Sequence, residues 1–251
     1  MKLTFLGTAG LVPGMGLKIT KTRGMLSMQV DTDILMDLGD GALRNINAHG
    51  VDLNAVKRVL ISHLHSDHFI GIVHVLFSMM NVFNRTEPLE IIGPKGIAKA
   101  TRGLMELCEL PVADDDKRGY ELKFRELGET ECFDGIRTVR GEHPSEAHAY
   151  RIERDNRILA FNGESTFTDP VLELVQGADL LIATVVVLEP HSFHIAPEDL
   201  GRAATEAGVK AVAAVHWPTE YEGRREEFRE LIQKHYDGKV IVPNDFTTIE
   251  V

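Results

Sequence analysis

Cysteine is nearly absent, with Cys108 and Cys132 the only two in 251 residues. Two thiols so far apart exclude a disulfide framework and a thiolate zinc site, so each reads as a plain core or surface side chain. Basic charge is also short: 27 Lys and Arg face 38 Asp and Glu, giving a formal net charge of -11. That is the wrong sign for a surface that gathers phosphate backbone by releasing counterions, so large nucleic acids are disfavoured as partners. No run reaches the roughly 18 apolar residues a membrane span needs. The opening MKLTFLGTAG reads as a short strand entering a glycine turn, not a signal peptide. A cytoplasmic chain with no membrane partner is expected. Linkers rich in Pro, Gly or Ser, repeats and low-complexity segments are missing too, and one domain over 1–251 is the expectation.

What is present is an ordinary globular composition, 43% hydrophobic and 26% charged, enough for a sizeable core. Strand-like runs stand at 2–7, 34–39, 58–62, 89–93, 121–127, 135–139, 148–153, 157–161, 179–187 and 209–216. Helix-like stretches fall at 67–82, 95–109, 197–207 and 223–236. The third of these opens on Pro197, Glu198 and Asp199 and stops at Gly208. Helices among the early and late strands, with strands in a row over 121–161, predict an α+β chain of two packed sheets with outer helices. ADDDKRGYE at 113–121 reads as a mobile surface loop. The apolar helix over 69–83 reads as buried, or else as a substrate wall or an oligomer face.

Residues 61–71, ISHLHSDHFIG, place His63, His65, Asp67 and His68 within six consecutive positions where an apolar strand turns into an apolar helix. His63 and His65, two apart in extended chain, point the same way, and Asp67 and His68 open the helix. A metal needs imidazoles and a carboxylate on backbone that is already fixed, and a strand-to-helix corner supplies that. The bland alternative is a helix capped by Ser66 or Asp67, with surface histidines.

The pattern resembles the signature of the metallo-β-lactamase superfamily, and within it the branch that includes ribonuclease Z and small phosphodiesterases. FLGTAG at 5–10, LMDLGDGALRNI at 35–46 and IIGPKG at 91–96 resemble its opening turn, second motif and Gly-Pro turn. HPSEAHAYRI at 143–152 resembles the segment of the third histidine, which makes His143 a ligand and leaves His148 a structural or solvent role. VKAVAAVHWP at 209–218 resembles the last ligand segment, ending on His216. The resemblance implies an αββα sandwich and a metal-dependent hydrolase with two divalent ions, zinc first, with manganese or iron as other candidates. In that scheme His63, His65 and His143 hold one ion, Asp67, His68 and His216 the other, and Glu164 spans both. Asp67 and His194 are the candidate catalytic residues, His194 as general acid 22 residues before His216 and ranked ahead of His191. Arg23 falls where relatives have a basic loop and is a candidate for substrate binding, a guanidinium suiting a phosphate fork. Relatives are often dimers, so a homodimer is a possible partner state.

Two departures stand out. Where relatives read Gly-Asp-Thr, this chain reads NGEST, and Glu164 carries its carboxylate roughly 1.3 to 1.5 Å further out on an unchanged backbone. It could bridge from an altered backbone, bind one ion, or leave the second ion weak. Ala183 and Thr184 stand where ribonuclease Z relatives carry His-Glu, so the partner of His194 is missing unless Glu189 replaces it. The long tRNA-gripping arm is missing too, since only about two dozen residues separate GPKG from ELKFREL. A small phosphodiester, cyclic or nucleotide-like, is therefore the leading substrate. Arylsulfates, lactones, thioesters, a ribonuclease Z-like nuclease and a non-catalytic metal or ligand binder are the rivals. Retention of His65 argues against the flavin-linked redox relatives, which replace it with glutamate.

Overall fold

The computed structural model describes residues 1–11, 22–112, 119–189, 192–216 and 218–251. Most of the expected 113–121 loop, and His191, therefore lie outside the described residues.

Period-two burial builds the sheets. On β1 (Lys2–Gly7), Leu3 and Phe5 face the core between the sheets while Leu6 faces the opposite side. β1, β2 (Ser27–Val30) and β3 (Ile34–Leu38) run antiparallel, and β4 (Arg58–Leu60), β5 (Leu89–Gly93) and β6 (Leu122–Glu126) continue the sheet parallel to β3. Parallel neighbours require crossovers. α1 (Ala42–His49), α2 (Ser66–Phe69), α3 (Ile72–Asn81) and α4 (Ile97–Leu107) lie in those connections.

The second sheet repeats the scheme. β7 (Thr130–Phe133), β8 (Ile136–Gly141), β9 (Ala147–Arg154) and β10 (Arg157–Phe161) form an antiparallel meander. β11 (Leu180–Thr184), β12 (Ala211–Val215) and β13 (Lys239–Ile241) extend it parallel to β10, with α5 (Asp169–Val175), α6 (Pro197–Glu206) and α7 (Arg225–Gln233) interposed along the chain. β14 (Thr248–Glu250) returns to pair with β1, so each sheet has seven strands among the described residues. Leu3, Phe5, Leu60 and Ile92 of one sheet meet Tyr150, Phe161, Ile182 and Val215 of the other in one buried cluster. Two further clusters seat the helices on the outer faces, giving the expected αββα, α+β architecture.

The expected helix over 67–82 is two helices, α2 and α3. The chain breaks near Gly71, whose N–H bonds Leu38 O at 2.8 Å and where a Cβ would sit 2.3 Å from Gly39 O. α3 buries Ile72, Val75, Leu76 and Met79 but leaves Phe77 half exposed. No helix among the described residues is long and apolar enough to cross a membrane.

Arg85 pins the approach to β4. Its guanidinium is buried with no carboxylate among its hydrogen-bond partners. Nε donates to Glu87 O, Nη1 to Leu53 O and Asn54 O, and Nη2 to Val56 O and Pro88 O, over 2.7 to 3.4 Å. Arg85→Met leaves those carbonyls without their donor. It should cost roughly 3 kcal/mol, read as a fall of roughly 10 °C in the melting midpoint. An unchanged midpoint would show that Arg85 does not hold this loop.

Candidate metal centre

The site forms where the strands of both sheets end. β4 stops at Leu60, and Ser62 is tied to Asp37 of β3: the Ser62 N–H donates to Oδ1 at 2.7 Å and its hydroxyl to Oδ2 at 2.8 Å. His63 and His65 leave this anchored corner side by side, Nε2 of one 3.0 Å from Nδ1 of the other. No side chain caps α2, so Asp67 is not used as a cap. Its Oδ2 instead accepts the Leu11 N–H at 2.8 Å and stands 3.2 Å from His216 Nε2.

His216 follows β12 in the left-handed region, φ 72°, with its N–H bonded to Thr8 O at 2.9 Å. Its ring lies over Gly10, where a Cβ would come within 2.0 Å of Nδ1. His143 leaves the turn after β8, and its ring stands 4.8 Å from that of His63 and 5.0 Å from that of His65. Gly163 and Glu164, after β10, are both left-handed, φ 62° and 64°. From there Glu164 Oε2 reaches His63 Nε2 at 3.2 Å, His68 Nε2 at 2.9 Å and His216 Nε2 at 3.6 Å.

Seven donors thus form two groups. His63, His65, His143 and Glu164 make one, Asp67, His68 and His216 the other, with ligand atoms within 4.8 Å of one another in each. The spacings fit metal coordination. Two nitrogens each about 2.0 to 2.1 Å from a tetrahedral zinc lie about 3.3 Å apart, and His68 Nε2 and His216 Nε2 already face each other at 2.9 Å.

Electrostatics divide the groups. Burial, reinforced by the nearby charge of His68, lowers the His63 pKa to about 4, and burial lowers that of His143 to about 4. Both are neutral donors near neutral pH. Burial opposes charge on His68 as well, yet the Asp37 carboxylate 2.8 Å from Nδ1, with Glu164 beyond it, raises its pKa well above the ordinary value. Burial pushes Glu164 and Asp67 up, but the surrounding histidines outweigh it and hold both carboxyls below their usual range.

His194 lies at the edge of this centre. Its Nδ1 is 3.6 Å from Glu164 Oε1 and its ring 6.0 Å from that of His143. Glu189 is exposed, and the carboxylate facing His194 Nδ1 at that distance is Glu164's. His148 stays outside both groups. Its N–H donates to Ser62 O at 3.0 Å and its Nε2 stands 3.3 Å from Glu146 Oε1, a structural tie between the sheets.

Arg23 is not a substrate contact. It is buried, forks onto both oxygens of Glu222 at 2.8 and 2.9 Å, and gives its other three N–H groups to Thr8 Oγ1, Pro243 O and Asn244 Oδ1. With five donors engaged, no fork remains for a phosphate. It braces Thr8, on which His216 rests.

Sequence reading missed Asp37 and Ser62. The available signal was a carboxylate inside the apolar run ILMDL, since a buried charge demands partners.

A family model described as "Beta-lactamase superfamily domain" matches residues 32–217. A curated relative named Ribonuclease Z from Mycobacterium bovis is 27% identical over 278 residues, covering 100% of this chain and 98% of its own. Human tRNase Z, short form, superposes with a TM-score of 0.76 at 21% identity over 100% of this chain and 99% of that one. A diphosphatase of the PhnP family does so with 0.73 at 16% identity over 100% and 97%. At these identities the structures bear on the fold alone.

A metal entering the second group must displace the proton that Asp37 and Glu164 stabilise on His68, so affinity there rises with pH. Competition with a chelating dye at about pH 6 and about pH 8 should show the weaker of two zinc sites tightening by at least about tenfold across that range. The group of His63 and His143, already neutral, should tighten less. Equal pH slopes at both sites would contradict the protonated His68.

Proposed function

This chain belongs to the β-lactamase superfamily, and we propose that it hydrolyses a small phosphodiester at a dinuclear centre, zinc being the first choice of metal. It is a metal-dependent hydrolase by family, and the substrate is the step proposed. His63, His65 and His143 would hold one ion, and Asp67, His68 and His216 the other. The observation that carries the dinuclear reading is the placement of Glu164, with Oε2 3.2 Å from His63 Nε2 in one group and 2.9 Å from His68 Nε2 in the other. In this reading the left-handed backbone at 163–164 would take up the extra methylene of glutamate.

When bound, divalent ions supply an acidified water and positive charge for the phosphoryl oxygens. The chain's own residues do the rest. Asp67 fixes the geometry on the second side through Leu11 and His216. His194 delivers a proton to the leaving oxygen as its bond to phosphorus breaks and the water oxygen's bond forms; the water's own proton goes to solvent.

A ribonuclease Z-like reading is favoured by the name of the Mycobacterium bovis relative, matched over nearly its whole length. Against it stand the net charge of -11 and the short interval between β5 and β6, where the described residues form α4 and short turns.

Zinc-loaded protein should bind two ions per chain and turn over a chromogenic phosphodiester in preference to the matched monoester. His63→Ala should lose at least about 100-fold of that rate, and His194→Ala roughly 100- to 10,000-fold with both ions retained. At most one ion per chain, or faster processing of a precursor tRNA 3′ end than of any small diester, would sink this reading.

A further inference from the structure

A cavity of about 280 Å³ opens beside the centre, and the hydrolytic scheme leaves it unused. We propose that it is the subsite for the substrate's leaving group and that it takes an uncharged, ring-bearing alcohol; the inference rests on the phosphodiesterase reading above.

Position comes first. His194 forms part of the cavity wall, and the same imidazole faces Glu164 Oε1 at 3.6 Å. Thr166, two residues past Glu164, lines it as well. A group filling the cavity therefore lies against the residue that would protonate its oxygen.

Chemistry narrows the occupant. Phe167, Leu172, Ile195 and Ala203 give an apolar interior suited to the faces of a ring. Asp199, Arg202 and Glu206 supply the charge, all from α6. The Arg202 guanidinium is already matched: Nη1 donates to Asp199 at 2.8 Å, and Nη2 meets Glu198 and His235, each at 3.1 Å. Glu206, exposed at the end of α6, then leaves this side negative. A second phosphate is repelled there, whereas the N–H groups of a heterocycle are welcome. The volume falls below the roughly 300 Å³ at which drug-sized pockets begin, which suits one ring-bearing group and no polynucleotide.

Adenosine, neutral and free of phosphate, is the probe. Zinc-loaded protein is titrated with it by NMR, with zinc content measured in parallel, for the wild type, Ala203→Trp and Glu206→Lys. Binding to the wild type is expected, and Ala203→Trp should weaken it by at least about tenfold without loss of zinc. Glu206→Lys should retain adenosine and raise turnover of diesters whose leaving group bears an extra phosphate, relative to neutral ones, by at least about threefold. Adenosine binding that is undetectable, or equal in wild type and Ala203→Trp, overturns the subsite. Should Ala203→Trp fail to fold, unchanged charge discrimination in Glu206→Lys overturns it alone. Loss of adenosine in Ala203→Trp from a protein with no diester turnover upholds the cavity as a site for a neutral ring while sinking the phosphodiesterase reading, so the two failures are told apart.

Discussion

The carboxylate of Asp37 is the fixed point of this molecule. Fully buried, it accepts the Ser62 N–H and the Ser62 hydroxyl and stands 2.8 Å from His68 Nδ1. The proton logic follows. Ser62 spends its one O–H on Asp37, so at 3.0 Å it must accept from His63 Nδ1, which leaves His63 Nε2 as a lone pair. His68 likewise gives Nδ1–H to Asp37 and turns Nε2 toward Glu164. One carboxylate thereby sets the donor atom of a histidine in each group. Without those bonds its buried charge would be prohibitively costly, so the same contacts that orient the site also make Asp37 tolerable to the fold.

Orientation is bought with backbone strain. Asp37, Glu164 and His216 adopt φ of 49°, 64° and 72°, conformations that cost non-glycine residues about 1 to 3 kcal/mol each. Such angles persist only where the surroundings over-determine them. Here they stand within or just past strands whose residues fill the cluster between the sheets. Gly163 marks how tight this is, since a Cβ there would come within 1.9 Å of His148 O. Glu164 starts from that left-handed pair, and its Oε2 still arrives between the two donor groups.

This explains what could be read from residue order and what could not. The strands ILMDL, LEIIG and RILAF announced themselves as short apolar runs, and the helix opening on Pro197 by its punctuation. β2 did not, because SMQV is only four residues long and holds two apolar side chains, its Ser27 and Gln29 being buried all the same. β13 and β14, three residues each, are too short for any period. The candidate ligand residues, which the fold gathers into two groups, were legible because five of them are histidines in distinctive segments. The role of Arg23 was not, since its partner Glu222 lies 199 positions away and only folding brings the two together. Asp37 was visible only as a carboxylate in an apolar run; its role was not legible, because it lies in Ser62 and His68, 25 and 31 positions on.

Charge organises the site at two length scales. In the dinuclear reading, two divalent ions bring four positive charges against the three carboxylates of Asp37, Asp67 and Glu164, a local balance of about plus one in a buried setting where screening is weak. A single phosphodiester anion is drawn to that balance. The chain as a whole carries a formal net charge of -11, and Glu206 places one acidic group at the cavity beside His194. Surface charges act over only about 8 Å at physiological salt, so a small diester reaching the ions passes most of them at low cost. A polyanion must lay its remaining phosphates along them and meets that repulsion repeatedly. On the proposed reading, this charge balance would admit one phosphate and resist many.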